Sequence, residues 1–130
     1  MARAGMMVLP VAALALAACG GAGDSGGAQV KPPGVEVPER YRQGQELFRT
    51  SCVGCHGRKG VGTGQGPPLL HPYYDPNKHG DERLVRVIQE GTEQHLWEFG
   101  DMPPQPHMDG EKAREVLAYI RWLQRQVDIY

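Results

Sequence analysis

The 130-residue chain is poor in several things at once. Lysine occurs only four times and the formal net charge is −1, so the chain lacks the strongly basic face that nucleic-acid binding requires. Aromatic residues make up 7% against 18 glycines and 11 prolines, a balance that predicts a thin apolar core and much loop. A small domain with so little core needs a staple of some kind. Disulfides are a poor candidate, because the only cysteines are Cys19, Cys52 and Cys55. There is no second C-x-x-C, so a zinc site built on Cys52 and Cys55 would lack its other two ligands. No strand-rich pattern precedes that pair, as a thioredoxin-type dithiol would have. The longest apolar run, Met6 to Ala18, is too short to span a bilayer. The length fits one domain.

The staple is legible in Cys52-Val53-Gly54-Cys55-His56. A C-x-x-C-H run reads as an attachment site for one c-type haem. Residues three apart share a face of a helical turn, so Cys52 and Cys55 can each form a thioether to a haem vinyl group. His56 follows directly and offers a ring nitrogen to the iron. A metal-bound histidine normally donates its other ring N–H to an acceptor, often a backbone carbonyl. Gly66-Pro67-Pro68-Leu69 lies a short loop away, and the carbonyl of Pro67 is the expected acceptor.

Ahead of that domain the chain divides into two parts. Residues 1–18 read as an export signal, with Arg3 at its positive start and the Met6–Ala18 run as its apolar centre. Leu16-Ala17-Ala18-Cys19 resembles a bacterial lipobox, which implies cleavage before Cys19, lipidation of its sulfur and a stable anchor of more than one acyl chain. The alternative leaves Cys19 as an unpaired thiol or discards it with the signal. Residues 19–37 then form a linker whose Gly-rich start, Gly20 to Gly27, cannot bury a core. Such a tether spans about 25 Å on average and at most about 60 Å. Residues 38–130 form the globular domain. The expected location is the periplasmic side of a bacterial membrane.

Within the domain, Pro38 and Glu39 suit a helix start, and a helix is expected from about Glu39 to Ser51 with Tyr41, Gln45, Phe48 and Cys52 along one face. Gly44 in its middle costs about 1 kcal/mol against alanine, which a close crossing by another helix would explain. Loops follow over 57–80. Asp81 reads as the cap of a short helix, Glu82 to Glu90, with Gly91 as its stop. Residues 91–109 are irregular. Asp109 then caps a last helix whose stripe is Ala113, Val116, Leu117, Ile120, Leu123 and Val127.

From about Pro38 onward the chain resembles the monohaem class I cytochromes c, with histidine and methionine as iron ligands. The resemblance rests on the order of four motifs: Cys-Val-Gly-Cys-His, Gly66-Pro67-Pro68-Leu69, Met102-Pro103-Pro104 and Val116-Leu-Ala-Tyr-Ile-Arg-Trp-Leu123. It implies an all-α fold, three to four helices and long loops around one covalent haem, with first and last helices crossing at Gly44 and Phe48 against Val116 and Tyr119. It implies His56 as proximal ligand and a methionine as distal one. Beyond residue 18 only Met102 and Met108 are available. Met102, between Gly100 and two prolines, matches the ligand position, while Met108 abuts the helix cap and reads as packing. His95 or His107 is the runner-up, and His71 and His79 read as loop residues. Tyr73, Tyr74, Trp97 and the arginines are candidates for the haem propionates, Trp97 first. Residues 92–99 match no familiar pattern, and Arg58 and Lys59 make at most a small basic patch.

Two fixed ligands leave no vacant iron position, so the expected role is a one-electron carrier and not an enzyme. The partners the resemblance suggests are a quinol-oxidising complex on one side and a terminal oxidase or other periplasmic acceptor on the other. The chain would shuttle between them as a tethered monomer. The alternatives are a fixed cytochrome subunit of a larger redox complex, or a haem enzyme or gas sensor with a displaceable sixth ligand.

Overall fold

The computed structural model describes residues 33–130. The export-signal reading and the lipidated Cys19 lie outside the described residues. Among these there are four α-helices and no strand: α1 Arg42–Ser51, α2 Val53–His56, α3 Asp81–Glu90 and α4 Gly110–Arg125. Three short 3-10 turns, Glu39–Tyr41, Arg58–Gly60 and Pro72–Tyr74, punctuate the connections. The all-α expectation holds, with the first helix split: Tyr41 at φ −112° and ψ 0° separates the Glu39–Tyr41 turn from α1.

The core forms where α1 crosses α4. Gly44 is buried there, and a Cβ on it would overlap the backbone carbonyl of Glu115. Only glycine lets the two backbones come so close. Beside that crossing Phe48 meets Tyr119 edge-on with centroids 5.6 Å apart, and Tyr119 stacks on Trp122 at 6.1 Å. Val116, Leu123 and Ala113 are fully buried on the same face of α4. The apolar stripe read from the sequence is thus the buried face, and the small residue at 44 is the contact point.

Helix α4 starts as expected, with the Asp109 carboxylate accepting from the Lys112 backbone N–H at 2.9 Å. Helix α3 does not. Gly80, in extended conformation, occupies its cap position and Asp81 is the first helical residue. The physical reason lies across the fold: the Asp81 carboxylate is drawn to the buried Arg121, accepting from its Nε at 2.8 Å. Gly91, at φ +76°, ends α3 where the sequence put the stop.

Arg121 sits in the buried face of α4 and is itself buried. Its guanidinium also donates to the carbonyls of Tyr74, at 2.5 Å, and His79, at 2.6 Å, and to Gln124 Oε1 at 2.8 Å. Gln124 in turn donates to the Leu69 carbonyl at 2.9 Å. These bonds peg the strandless 69–80 segment to α4, where propensity alone would leave it loose. Such a charge is tolerated in a core because its donors are satisfied and Asp81 balances it. No helix among the described residues is long and apolar enough to cross a membrane.

Candidate haem site

A deep cleft of about 200 Å³ opens beside the α1–α4 crossing. Its back is apolar: Phe48, Leu84, Val87, Val116, Leu117 and Ile120 all face it. One wall comes from the end of α1, from α2 and from the loop to Leu69. Another comes from residues 92–105, which run from the end of α3 toward α4.

The first wall brings together the residues of the C-x-x-C-H run. Cys52 ends α1, half-buried, while Cys55 and His56 lie on the single turn of α2. The turn is stitched by His56 N–H to the Cys52 carbonyl at 2.9 Å and Gly57 N–H to the Val53 carbonyl at 2.9 Å. The loop then doubles back beneath it. Gly62 N–H donates to the His56 carbonyl at 2.7 Å, Leu69 N–H to the Gly60 carbonyl at 2.7 Å, and the Thr63 hydroxyl to the Cys55 carbonyl at 2.6 Å. The return brings Gly66 against Cys55, where a Cβ would stand 2.8 Å from the Cys55 carbonyl oxygen and 2.9 Å from its Cβ. It also brings the Pro67 carbonyl to 2.9 Å from His56 Nδ1, the acceptor expected for that ring.

With Nδ1 donating to Pro67, the His56 ring keeps Nε2 as a lone-pair donor, and Nε2 has no protein partner among the described residues. Burial holds this imidazole below the ordinary histidine range, with the Pro67 bond pulling the other way, so it is kept neutral as a metal ligand must be. Burial, with a smaller push from Cys55, raises the Cys52 thiol to about 11. Cys52 is therefore no thiolate nucleophile at neutral pH, which argues against a redox dithiol.

The second wall holds Met102. Its backbone pairs with Thr92 in both directions, N–H to carbonyl at 2.9 and 3.0 Å. Gln105 N–H reaches the Ile88 carbonyl at 3.1 Å and hangs the segment from α3. Met102 faces the cleft, whereas Met108 is 2% exposed in the core and does not line it. Of the loop histidines, His79 and His95 line the cleft and His71 and His107 do not. His107 Nε2 instead meets the Ser51 hydroxyl at 2.9 Å. The 92–99 stretch that the sequence left unread contributes Leu96, Trp97 and Phe99 to the cleft.

Trp97 is placed less simply than expected. Its indole N–H is spent on the Tyr74 hydroxyl at 3.1 Å, which leaves the Tyr74 O–H as the donor free to face the cleft. Burial pushes the Tyr74 phenol above its ordinary range, so it stays protonated. Tyr73 does not line the cleft and is 43% exposed. The sequence signal for Arg121 was available but weak: an arginine set between Tyr119 and Leu123 in an otherwise apolar stretch.

These residues fit a covalently held haem. Two half-buried to exposed thiols and a neutral imidazole with one open nitrogen line a cleft with apolar walls, Gly66 keeps the thiol side clear, and a thioether sulfur lies on a second segment.

Residues 39–120 match the family model described as cytochrome c oxidase, cbb3-type, subunit III. Cytochrome c oxidase subunit 2 of Alkalihalophilus pseudofirmus is 33% identical over 100 residues, which cover 68% of this chain and 28% of that protein. Among solved structures, cytochrome CL from the marine methylotroph Methylophaga aminisulfidivorans MPT matches with a TM-score of 0.54 at 28% identity, over 71% of this chain and 61% of that one. The c-type cytochrome XoxG from Methylobacterium extorquens AM1 matches with a TM-score of 0.53 at 21% identity, over 68% of this chain and 53% of that one, a likeness of fold alone. The chain thus spans less than two thirds of each of these relatives.

Proposed function

Because the chain belongs to the family described as subunit III of cbb3-type cytochrome c oxidase, a family of c-type cytochromes that carry covalent haem c and transfer electrons, we propose that it is a one-electron carrier of a respiratory chain in which His56 and Met102 would be the two ligands of the haem iron. Cys52 and Cys55 hold the haem through thioethers, and Pro67 orients the His56 ring. The bound haem c supplies an iron that takes up and gives back one electron between its ferric and ferrous states. The protein's part is to hold that iron saturated. With both ligands supplied by side chains fixed to the fold, little would have to move on reduction, and small ligands would be kept out. Methionine as second ligand raises the potential, and an apolar cleft further disfavours the charged ferric form.

The observation that carries this reading is the seating of Met102. Its backbone is pinned on both sides by Thr92 in a segment that lines the same cleft as His56, while Met108 is buried elsewhere. The test is a potentiometric titration of the holoprotein followed in the visible, with Met102→Ala beside it. A methionine–ferric charge-transfer band, and no carbon monoxide binding at neutral pH, are expected in the parent and lost in the variant. Carbon monoxide binding by the parent would favour an enzyme or gas sensor instead.

Upstream, residues 1–18 act as a lipoprotein signal, Cys19 carries the lipid, and residues 19–37 tether the 38–130 domain on the periplasmic side of the membrane. The tether raises the effective concentration of the domain near a quinol-oxidising complex and a terminal oxidase. A second reading, the domain as a fixed oxidase subunit, is favoured by the two oxidase-subunit descriptions among the comparisons. Purification from membranes decides: recovery of the chain alone supports the shuttle, and constant recovery with companions supports the subunit.

A further inference from the structure

The segment that carries Met102 is tied mostly to itself or to α3. Thr92 pairs with Met102, Gln94 N–H donates to Asp101 at 2.9 Å, and Gln105 hangs from Ile88. Trp97 N–H reaches the Tyr74 hydroxyl at 3.1 Å, and one bond reaches the wall that carries Cys52, Cys55 and His56. His107 Nε2 lies 2.9 Å from the Ser51 hydroxyl, across 56 residues of sequence, and Ser51 itself lines the cleft one residue before Cys52. We propose that His107 is a positioning residue for the sixth iron ligand: its bond to Ser51 latches the methionine segment to the helix that leads into the haem-attachment turn, and so fixes the gap that Met102 must close. The inference rests on the reading of Met102 as that ligand.

The chain between latch and ligand is suited to transmit the constraint. Pro103, Pro104 and Pro106 hold their φ angles and leave Gln105 N–H as the only backbone donor from 103 to 106, already used on Ile88. A stiff connection of this kind cannot absorb a shift at His107 by local bending. Lys112 Nζ supports the His107 carbonyl at 3.4 Å.

The experiment measures carbon monoxide affinity of the ferrous holoprotein and the intensity of the ferric methionine band in the parent, His107→Ala, Ser51→Ala, the double variant, His107→Gln and Met102→Ala. Loss of one such hydrogen bond shifts an equilibrium about threefold to tenfold. His107→Ala and Ser51→Ala are each expected to raise carbon monoxide affinity by that factor and weaken the band. The double variant is expected to do no more than either alone. His107→Gln, which restores a group able to bond the hydroxyl, is expected to recover most of the parent behaviour. Both residues are at the surface or half-buried, so the fold survives their truncation. If Met102→Ala abolishes the band while His107→Ala and Ser51→Ala leave band and affinity at parent values, the latch is refuted and the ligand assignment stands. If Met102→Ala keeps the band, the ligand assignment fails first and the latch with it.

Discussion

From Cys52 to Leu70 the chain turns back beneath its own helix and closes the loop with backbone bonds of 2.7 Å from Gly62 to His56 and from Leu69 to Gly60. From Thr92 to Met108 it is held by one reciprocal backbone pair, one turn bond from Met108 N–H to the Gln105 carbonyl, one bond to α3 and side-chain ties. The first region spends glycines, so that backbone can lie against backbone. The second spends prolines, which remove donors and stiffen a path that has few neighbours to bond. Both make one cleft, but the first is built from a contiguous motif and the second from points far apart in sequence. A ligand in the first region is therefore fixed by local geometry, and a ligand in the second by where the loop is pinned.

The largest expected effect strikes the first region. With Cys52 and Cys55 both replaced by serine, no thioether can form and covalently bound haem should vanish from the mature protein. Haem staining after denaturing electrophoresis reads this directly. Cys52→Ser alone should leave one thioether and a reduced yield. Retention of covalent haem in the double variant would mean that the first region is not the attachment site.

In the second region the comparison sharpens between two methionines six residues apart. Met102→Ala should open the iron and lower the midpoint potential. Met108→Ala should leave potential and spectrum unchanged but, by emptying a buried site, cost about 2–5 kcal/mol of stability. Potentiometry and chemical denaturation run on both variants separate the two effects, and equal shifts in potential would overturn the division of labour.

A smaller effect is expected behind the cleft, where both regions lean on the α1–α4 crossing. Gly44→Ala would push a methyl into the Glu115 carbonyl, and overpacking of this kind costs about 1–3 kcal/mol. Thermal melts of the holoprotein should show the loss with the methionine band intact. A parallel loss of the band would show that the crossing, and not the loop ties, holds Met102 in place.

How much of this was legible in the sequence follows the same divide. The helical turn at Cys55 and His56, the Pro67 carbonyl at His56 Nδ1, Gly44 at a close helix crossing and the Asp109 cap are all short-range signals, and the structure has each where it was read. The all-α architecture is what the resemblance to class I cytochromes c implied, and the four helices bear it out. What stayed hidden depends on distant partners. Asp81 looked like a cap because Asp before an apolar run usually is one, yet Arg121, forty residues away, claims its carboxylate. The 92–99 stretch had no periodicity because it is shaped by Thr92 meeting Met102 and by Trp97 meeting Tyr74, neither of which spacing can reveal. His107 read as a loop residue or spare ligand, and only the fold brings Ser51 to it.

The smallest effect lies where the second region hands over to α4. Asp109 is exposed, and its carboxyl is held below the usual aspartate range, chiefly by the Lys112 backbone N–H it caps and then by the Lys112 side chain, whose ammonium stands 3.2 Å away. A depressed folded value means that the ionised cap stabilises the fold above the ordinary aspartate range, and that this contribution fades as pH falls through the lowered value. Thermal melts of the parent across that acidic window should therefore show a small downward slope assigned to this site. Asp109→Asn keeps a capping oxygen without the charge, so it should remove that slope and lose little at neutral pH, whereas Asp109→Ala should lose the cap at every pH. Because the cap sets only the start of α4, neither change should move the iron potential. A shift in potential would mean that the handover from loop to helix takes part in seating Met102, and the contrast between the two regions would have to be redrawn around α4.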